Sequence, residues 1–111
     1  MPQAAVRSSH RIDRVFHALG DGTRRSIVET LRRRPHSVSH LADSLGISLT
    51  AVGQHLQILE ESKLVLTRKT GRVRECQLNV AGLKTLEDWA RELRTLWEKR
   101  FDRLGELLDE E

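Results

Sequence analysis

Residues 47–65 read ISLTAVGQHLQILEESKLV. Ser48 is placed to cap a helix in which Val52, Leu56 and Leu59 recur on one side, with Ile58 at its edge. The other side carries Gln54, His55 and Gln57, and acids enter only at Glu60 and Glu61. A helix face that meets only water usually carries charge. One that meets DNA must keep acids away from phosphate while offering donors and acceptors to base edges. Ser48, Thr50, Ala51, Gln54, His55 and Gln57 meet that requirement. Glutamine can pair two-pronged with adenine, and alanine can touch a thymine methyl.

The neighbouring segments decide what this helix belongs to. Upstream, Ser37 can cap a short helix with Val38, Leu41, Ala42 and Leu45 inward, closed by Gly46. Only Gly46-Ile47-Ser48 separates the two helices, the spacing of a helix-turn-helix. Downstream of Lys63 the period changes to that of strands, LVLTRK and then RVRECQL, with a tight turn expected at Thr70-Gly71. A hairpin after a helix-turn-helix makes a wing. Arg68, Lys69, Arg72 and Arg74 crowd its tip with no acid before Glu75, as suits sequence-independent grip on phosphates.

Further out, Ile12, Val15, Phe16 and Leu19 recur at helical spacing from Arg11 to a stop at Gly20. Residues 1–10 lack periodicity and are expected to form a flexible arm. Asp21 can cap a helix bearing Ile27, Val28 and Leu31, which ends in Arg32-Arg33-Arg34-Pro35. From Val80 onward comes the longest helix. Leu83, Leu86, Ala90, Leu93, Trp97, Phe101, Leu104 and Leu108 form a seam that Trp89 and Leu96 widen. Such a stripe outruns a small body and calls for a partner, most simply a second copy of the chain. The expected interface takes in Ile12, Val15, Phe16, Leu86, Trp89, Ala90, Leu93, Trp97, Phe101 and Leu104.

The fold class expected is therefore mainly α with a β-hairpin wing (α+β), a winged helix-turn-helix of five helices. Residues 11–79 form its DNA-binding part and residues 80–111 its dimerisation helix. Charge follows the same division. Residues 1–79 hold 13 Lys/Arg against 7 Asp/Glu, net +6, while residues 80–111 hold 6 against 9, net −3. A basic body suits double-stranded DNA, and an acidic segment suits a place away from it. The single cysteine, Cys76, excludes an internal disulfide and suits a reducing compartment. No apolar run is long enough to span a bilayer, so a cytoplasmic location with no membrane partner is expected.

The order Phe16-His17-Ala18-Leu19-Gly20-Asp21-Gly22-Thr23-Arg24-Arg25, then Val52-Gly53-Gln54-His55-Leu56 with Leu59, then Lys63-Leu64-Val65, resembles the ArsR family of bacterial winged-helix repressors. The resemblance runs from about Ile12 to Leu108. It implies a dimeric repressor paired through its terminal helices on a palindromic operator, with Ser48, Thr50, Gln54 and His55 as operator contacts and Arg68 to Arg74 as the wing. Three residues depart from the family pattern. Gly53 stands where serine is frequent, Gly22 where proline is frequent, and Lys63 where glycine is usual before the strand, so a left-handed cap there would carry strain.

Many members of that family release DNA when a metal or an oxidant reaches a regulatory site. Their metal-binding cysteines correspond here to Ser37 and Ser39, and residues 80–111 contain no histidine, so no metal site is expected. His36 and His40 could share a face only if their helix began early, which Pro35 opposes. Cys76 reads as a small buried apolar residue. No paired carboxylates, phosphate-binding loop or activated nucleophile marks an enzyme, and no cofactor is implied. Two rival readings remain: a winged-helix protein-interaction module, and a repressor whose unidentified small-molecule inducer binds between terminal helices near Trp89 and Trp97.

Overall fold

The computed structural model describes residues 3–109, with side chains from His10 onward. Its elements follow in the order α1 (Gln3–Leu19), α2 (Gly22–Leu31), β1 (His36–Ser37), α3 (Val38–Leu45), α4 (Leu49–Glu61), β2 (Val65–Thr70), β3 (Val73–Leu78) and α5 (Val80–Asp109). These are the winged helix-turn-helix elements read from the sequence, with two additions at their margins.

The first addition lies at the N-terminus. Helix α1 starts at Gln3, well before Arg11, so most of the expected arm is helical, and Met1 and Pro2 lie outside the described residues. The segment 3–10 contains neither glycine nor proline, so ordinary helix propensity extends the helix without an apolar repeat. The second addition is β1, a two-residue strand. It pairs antiparallel with β3, His36 opposite Cys76 and Ser37 opposite Glu75, which gives a three-stranded sheet in the order β1-β3-β2. Two residues are too few to express a strand period.

Capping fixes where the helices begin. Asp21, Ser37 and Ser48 are each extended, and each side chain accepts a hydrogen bond from the backbone N–H three residues on, those of Arg24, His40 and Ala51. These N-caps satisfy donors that a first helical turn leaves without partners. Helix α3 closes at Gly46, whose φ of 66° lets the Ile47 N–H turn back to the Ala42 carbonyl at 3.1 Å. The turn between α3 and α4 is thereby pinned at both ends.

Helix α4 ends in a less comfortable way. Lys63 takes φ 62°, the left-handed conformation that suits the glycine which the family resemblance implies at this position. Its N–H donates to the Glu60 carbonyl and the Leu64 N–H to the Leu59 carbonyl, both at 3.0 Å. The Ser62 hydroxyl, buried, donates to the same Leu59 carbonyl at 2.9 Å. The chain then enters β2, paired with β3 from Val65 opposite Leu78 to Thr70 opposite Val73. The hairpin turn therefore falls on Gly71-Arg72, one residue beyond the expected Thr70-Gly71. Only Gly71 has positive φ, 63°, as the first position of a type II′ turn demands.

The core draws on all four helices of the body and on the wing. Val15 and Ala18 of α1, Ile27 and Leu31 of α2, Leu41 and Ala42 of α3, and Val52, Leu56 and Leu59 of α4 are all buried. Leu64, Val65 and Cys76 close it from the wing side. The thiol of Cys76 is pushed up to about 11, chiefly by burial, with Glu60 and Glu75 adding to a rise that Arg74 opposes. It is a packing group, as read from the sequence.

Helix α5 leaves the body through a close contact. The Gly82 N–H donates to the Lys63 carbonyl at 2.8 Å, and a Cβ at Gly82 would come within 2.7 Å of the Ser62 and Lys63 carbonyl oxygens. Leu83 and Leu86 pack on the core, and Trp89 meets Phe16 of α1 edge to face at 4.9 Å. No residue from Arg91 to Asp109 is buried. The 30-residue helix, about 45 Å long at 1.5 Å per residue, thus projects beyond its own body.

Candidate nucleic-acid interface

The front of α4 is built so that its polar side chains stand clear. Val52, Leu56 and Leu59 point into the core, which turns Thr50, Gln54 and Gln57 outward, all exposed, with Ala51 and His55 half-buried at the edge. Ser48 is exposed too, but its oxygen accepts the Ala51 N–H at 3.1 Å, so its hydroxyl hydrogen and one lone pair remain to offer. Gln57 leans toward Glu61 at 3.5 Å, at the end of the helix remote from the turn. Leu49 belongs with this group although the polar pattern passes over it. It opens α4 with 57% of its surface exposed, an apolar contact for a groove wall or thymine methyl.

His55 differs from its neighbours. Its Nδ1 lies 3.3 Å from an Arg24 amino group, while the same guanidinium donates through Nε to the Ala18 carbonyl at 2.8 Å and through its other amino group to the His17 carbonyl at 3.0 Å. Arg25 likewise donates to the Leu19 carbonyl at 2.6 Å. These two arginines satisfy the last carbonyls of α1, acceptors that a helix end leaves open. Asp21 completes the corner. Its carboxyl is held below the ordinary aspartate value, first by the Arg24 backbone N–H and also by the charge of the Arg24 guanidinium. The Phe16-to-Arg25 stretch carries the family resemblance, but nothing in its residues signals that Arg24 reaches the recognition helix.

The wing divides its bases. Arg68, Lys69 and Arg72 are exposed, and among the described residues no acid lies within ion-pair distance of them. Arg74 is drawn back instead. It meets Glu60 Oε1 at 3.4 Å and Thr67 Oγ1 at 3.2 Å, and the Thr67 hydroxyl also donates to Glu60. That small network ties the base of the wing to the end of α4. With Arg74 exposed and Glu60 half-buried at the surface, it fixes geometry more than it adds stability.

The expected dimer residues separate into two sets. Trp89, Ala90, Leu93, Trp97, Phe101 and Leu104 are exposed along α5, and Phe16 is 42% exposed beside Trp89. Ile12 and Leu86 are half-buried. Val15 does not belong with them, because it is 1% exposed inside its own protomer and has no surface left for a partner. It shares the spacing of Ile12 and Phe16 but lies in the core rather than on the outer side of α1. Trp97 and Phe101 stack edge to face at 5.6 Å on the projecting part of α5.

The remaining candidates gather nothing further. His36 and His40 do come together, their rings stacked at 4.8 Å, because β1 delivers His36 directly to the start of α3. Parallel rings point their nitrogen lone pairs along parallel planes, not at one ion. Among the described residues no three His, Cys, Asp or Glu are grouped to hold a metal, and no helix is long and apolar enough to cross a membrane.

Comparison with known proteins agrees with this geometry. A family model described as a helix-turn-helix domain matches residues 19–68. The crystal structure of an ArsR family transcriptional regulator superposes with a TM-score of 0.76 at 36% identity, covering 81% of this chain and 93% of that one. The chain belongs to the ArsR family. The HTH-type transcriptional regulator Rv2034 of Mycobacterium tuberculosis is 40% identical over 99 residues, which are 89% of this chain and 90% of that protein. The transcriptional repressor SdpR of Bacillus subtilis is 27% identical over 78 residues, 70% of this chain and 87% of the repressor. As an ArsR-family member this protein is a DNA-binding transcriptional regulator with a winged helix-turn-helix fold.

Proposed function

We propose that the protein is a homodimeric repressor of a palindromic operator. The observation that carries this reading is the pairing of two surfaces: an exposed, uncharged front on α4 beside basic residues of the wing, and an unpartnered apolar stripe on α5. Two copies joined along α5 present two α4 helices to successive major grooves, about 34 Å apart. Ser48, Thr50, Ala51, Gln54, His55 and Gln57, with Leu49 beside them, meet base edges or the groove wall. Arg68, Lys69 and Arg72 hold phosphates, and Arg74 supports the wing that carries them. Repression is favoured over activation by the relation to SdpR, which is named as a repressor.

The α5 stripe also offers an open groove of about 540 Å³ lined by Trp89, Leu93, Trp97 and Arg100 among others, where an apolar inducer could bind. All of its walls come from one helix, so a second copy of the chain is the occupant that better matches its length.

The test is selection of bound sequences from a random duplex library at about physiological salt. A palindrome with half-sites one helical turn apart is the expected product. Arg72→Ala should then weaken binding to every sequence and lower the salt slope by about one. Gln54→Ala should instead relax preference at one base position, at a cost of about 1–3 kcal/mol. A folded, dimeric protein that enriches no sequence would sink the proposal and favour a protein partner.

A further inference from the structure

The structure assigns to Arg24 the role of a positioning residue that holds His55 in one tautomer, so that His55 acts on DNA as a hydrogen-bond donor and disfavours cytosine at the base it meets. The second half of this assignment rests on the DNA-reading function proposed above; the first does not.

A guanidinium only donates and stays charged. Its Nε and one amino group are already spent on the Ala18 and His17 carbonyls, at 2.8 and 3.0 Å, which fixes the plane of the fork. The remaining amino group lies 3.3 Å from His55 Nδ1. That nitrogen must therefore supply a lone pair, and a neutral imidazole with Nδ1 as acceptor carries its hydrogen on Nε2. The other ring nitrogen, which has no partner among the described residues, is then a donor. In the major groove, guanine, adenine and thymine each present an acceptor, at N7, O6 or O4, whereas cytosine presents only its N4 amino donor. A donor facing a donor is the mismatch that gives discrimination. The arrangement also links α1 to α4, because the carbonyls that orient Arg24 are the last ones of α1.

Long-range proton–nitrogen correlation spectra of the intact chain, uniformly labelled with nitrogen-15, read the tautomer without DNA. The expected result is the Nε2–H form for His55, shifting to a mixture in Arg24→Ala. On the selected operator, Arg24→Ala and His55→Ala should each lose about fivefold in affinity. Both should relax selectivity against cytosine at the same position, and the double variant should bind no worse than the weaker single one. If Arg24→Ala does not fold, Arg24→Lys keeps a cationic donor and should retain most of the Nε2–H form and the cytosine discrimination. An Nδ1–H tautomer in the unsubstituted protein overturns the assignment. So do relaxed preferences at two different positions, or losses that multiply in the double variant. An Nε2–H tautomer in a protein that selects no operator keeps the Arg24 lock and overturns the base reading together with the proposed function.

Discussion

The body and the projecting part of α5 carry the same kind of sequence pattern and treat it in opposite ways. In the body, apolar residues at helical spacing disappear from solvent: Val52, Leu56 and Leu59 of α4 are each 1% exposed or less. On α5 beyond Ala90, an equally regular series, Leu93, Trp97, Phe101, Leu104 and Leu108, is 55–64% exposed. Periodicity states that a face is to be buried and leaves open against what. The same ambiguity explains Val15. Its spacing matches Ile12 and Phe16, yet it is buried in the core of its own protomer while Phe16 stays half open.

The largest separation between the two regions should come from trimming one residue in each. Leu59→Ala leaves a cavity at a fully buried site, and about 2–5 kcal/mol of folding stability should be lost in urea unfolding. Trp97→Ala touches no part of the protomer body. It should leave single-chain folding almost unchanged while weakening self-association by about a hundredfold in sedimentation equilibrium, as expected for a central aromatic at an interface. If Trp97→Ala instead unfolds the chain in proportion to Leu59→Ala, folding and dimerisation are one process. The body would then have no stability of its own.

A smaller effect tests the joint between the regions. At Gly82 an added methyl group meets two backbone carbonyl oxygens at 2.7 Å, where no side chain can rotate away. Gly82→Ala should cost about 1–3 kcal/mol despite the better helix propensity of alanine. At Gly53, by contrast, a Cβ meets nothing within 4 Å, so Gly53→Ala should raise stability by about 0.5–1 kcal/mol. Equal responses at the two glycines would mean that α5 does not rest on the α4–β2 turn. The contrast also sharpens the reading of Gly53, whose place on the recognition helix is not demanded by packing.

Much of this was legible in the residues, for reasons that can be named. Asp21, Ser37 and Ser48 cap as their positions suggest, because a side-chain oxygen before an apolar repeat answers a purely local need. The wing was visible as a change of period, and Gly46 as a terminator. What escaped was non-local or aperiodic. Strand β1 is too short to alternate, and the start of α1 rests on propensity alone. Arg24 reaches His55 across 31 positions of sequence, a contact that no spacing rule anticipates. Arg74 looked like its neighbours at the wing tip, and only the register that sets it near Glu60 and Thr67 distinguishes it.

Lys63 provides the finest test, because there local preference and tertiary demand disagree. Its φ of 62° is one that a residue with a Cβ adopts at a cost of about 1–2 kcal/mol, and glycine adopts freely. The conformation persists because both of its backbone groups are engaged: the N–H on the Glu60 carbonyl at 3.0 Å, and the carbonyl on the Gly82 N–H at 2.8 Å. The same backbone turn thus ends α4, starts the wing and seats α5. Lys63→Gly removes the strain and gives back part of the gain through the greater freedom of glycine in the unfolded chain. The net expectation is a stabilisation of about 0.5–1 kcal/mol, seen as a higher urea midpoint at unchanged slope. A lower midpoint would mean that the lysine stem shields the turn well enough to offset its strain. The body would then hold α5 partly through that side chain rather than through backbone alone.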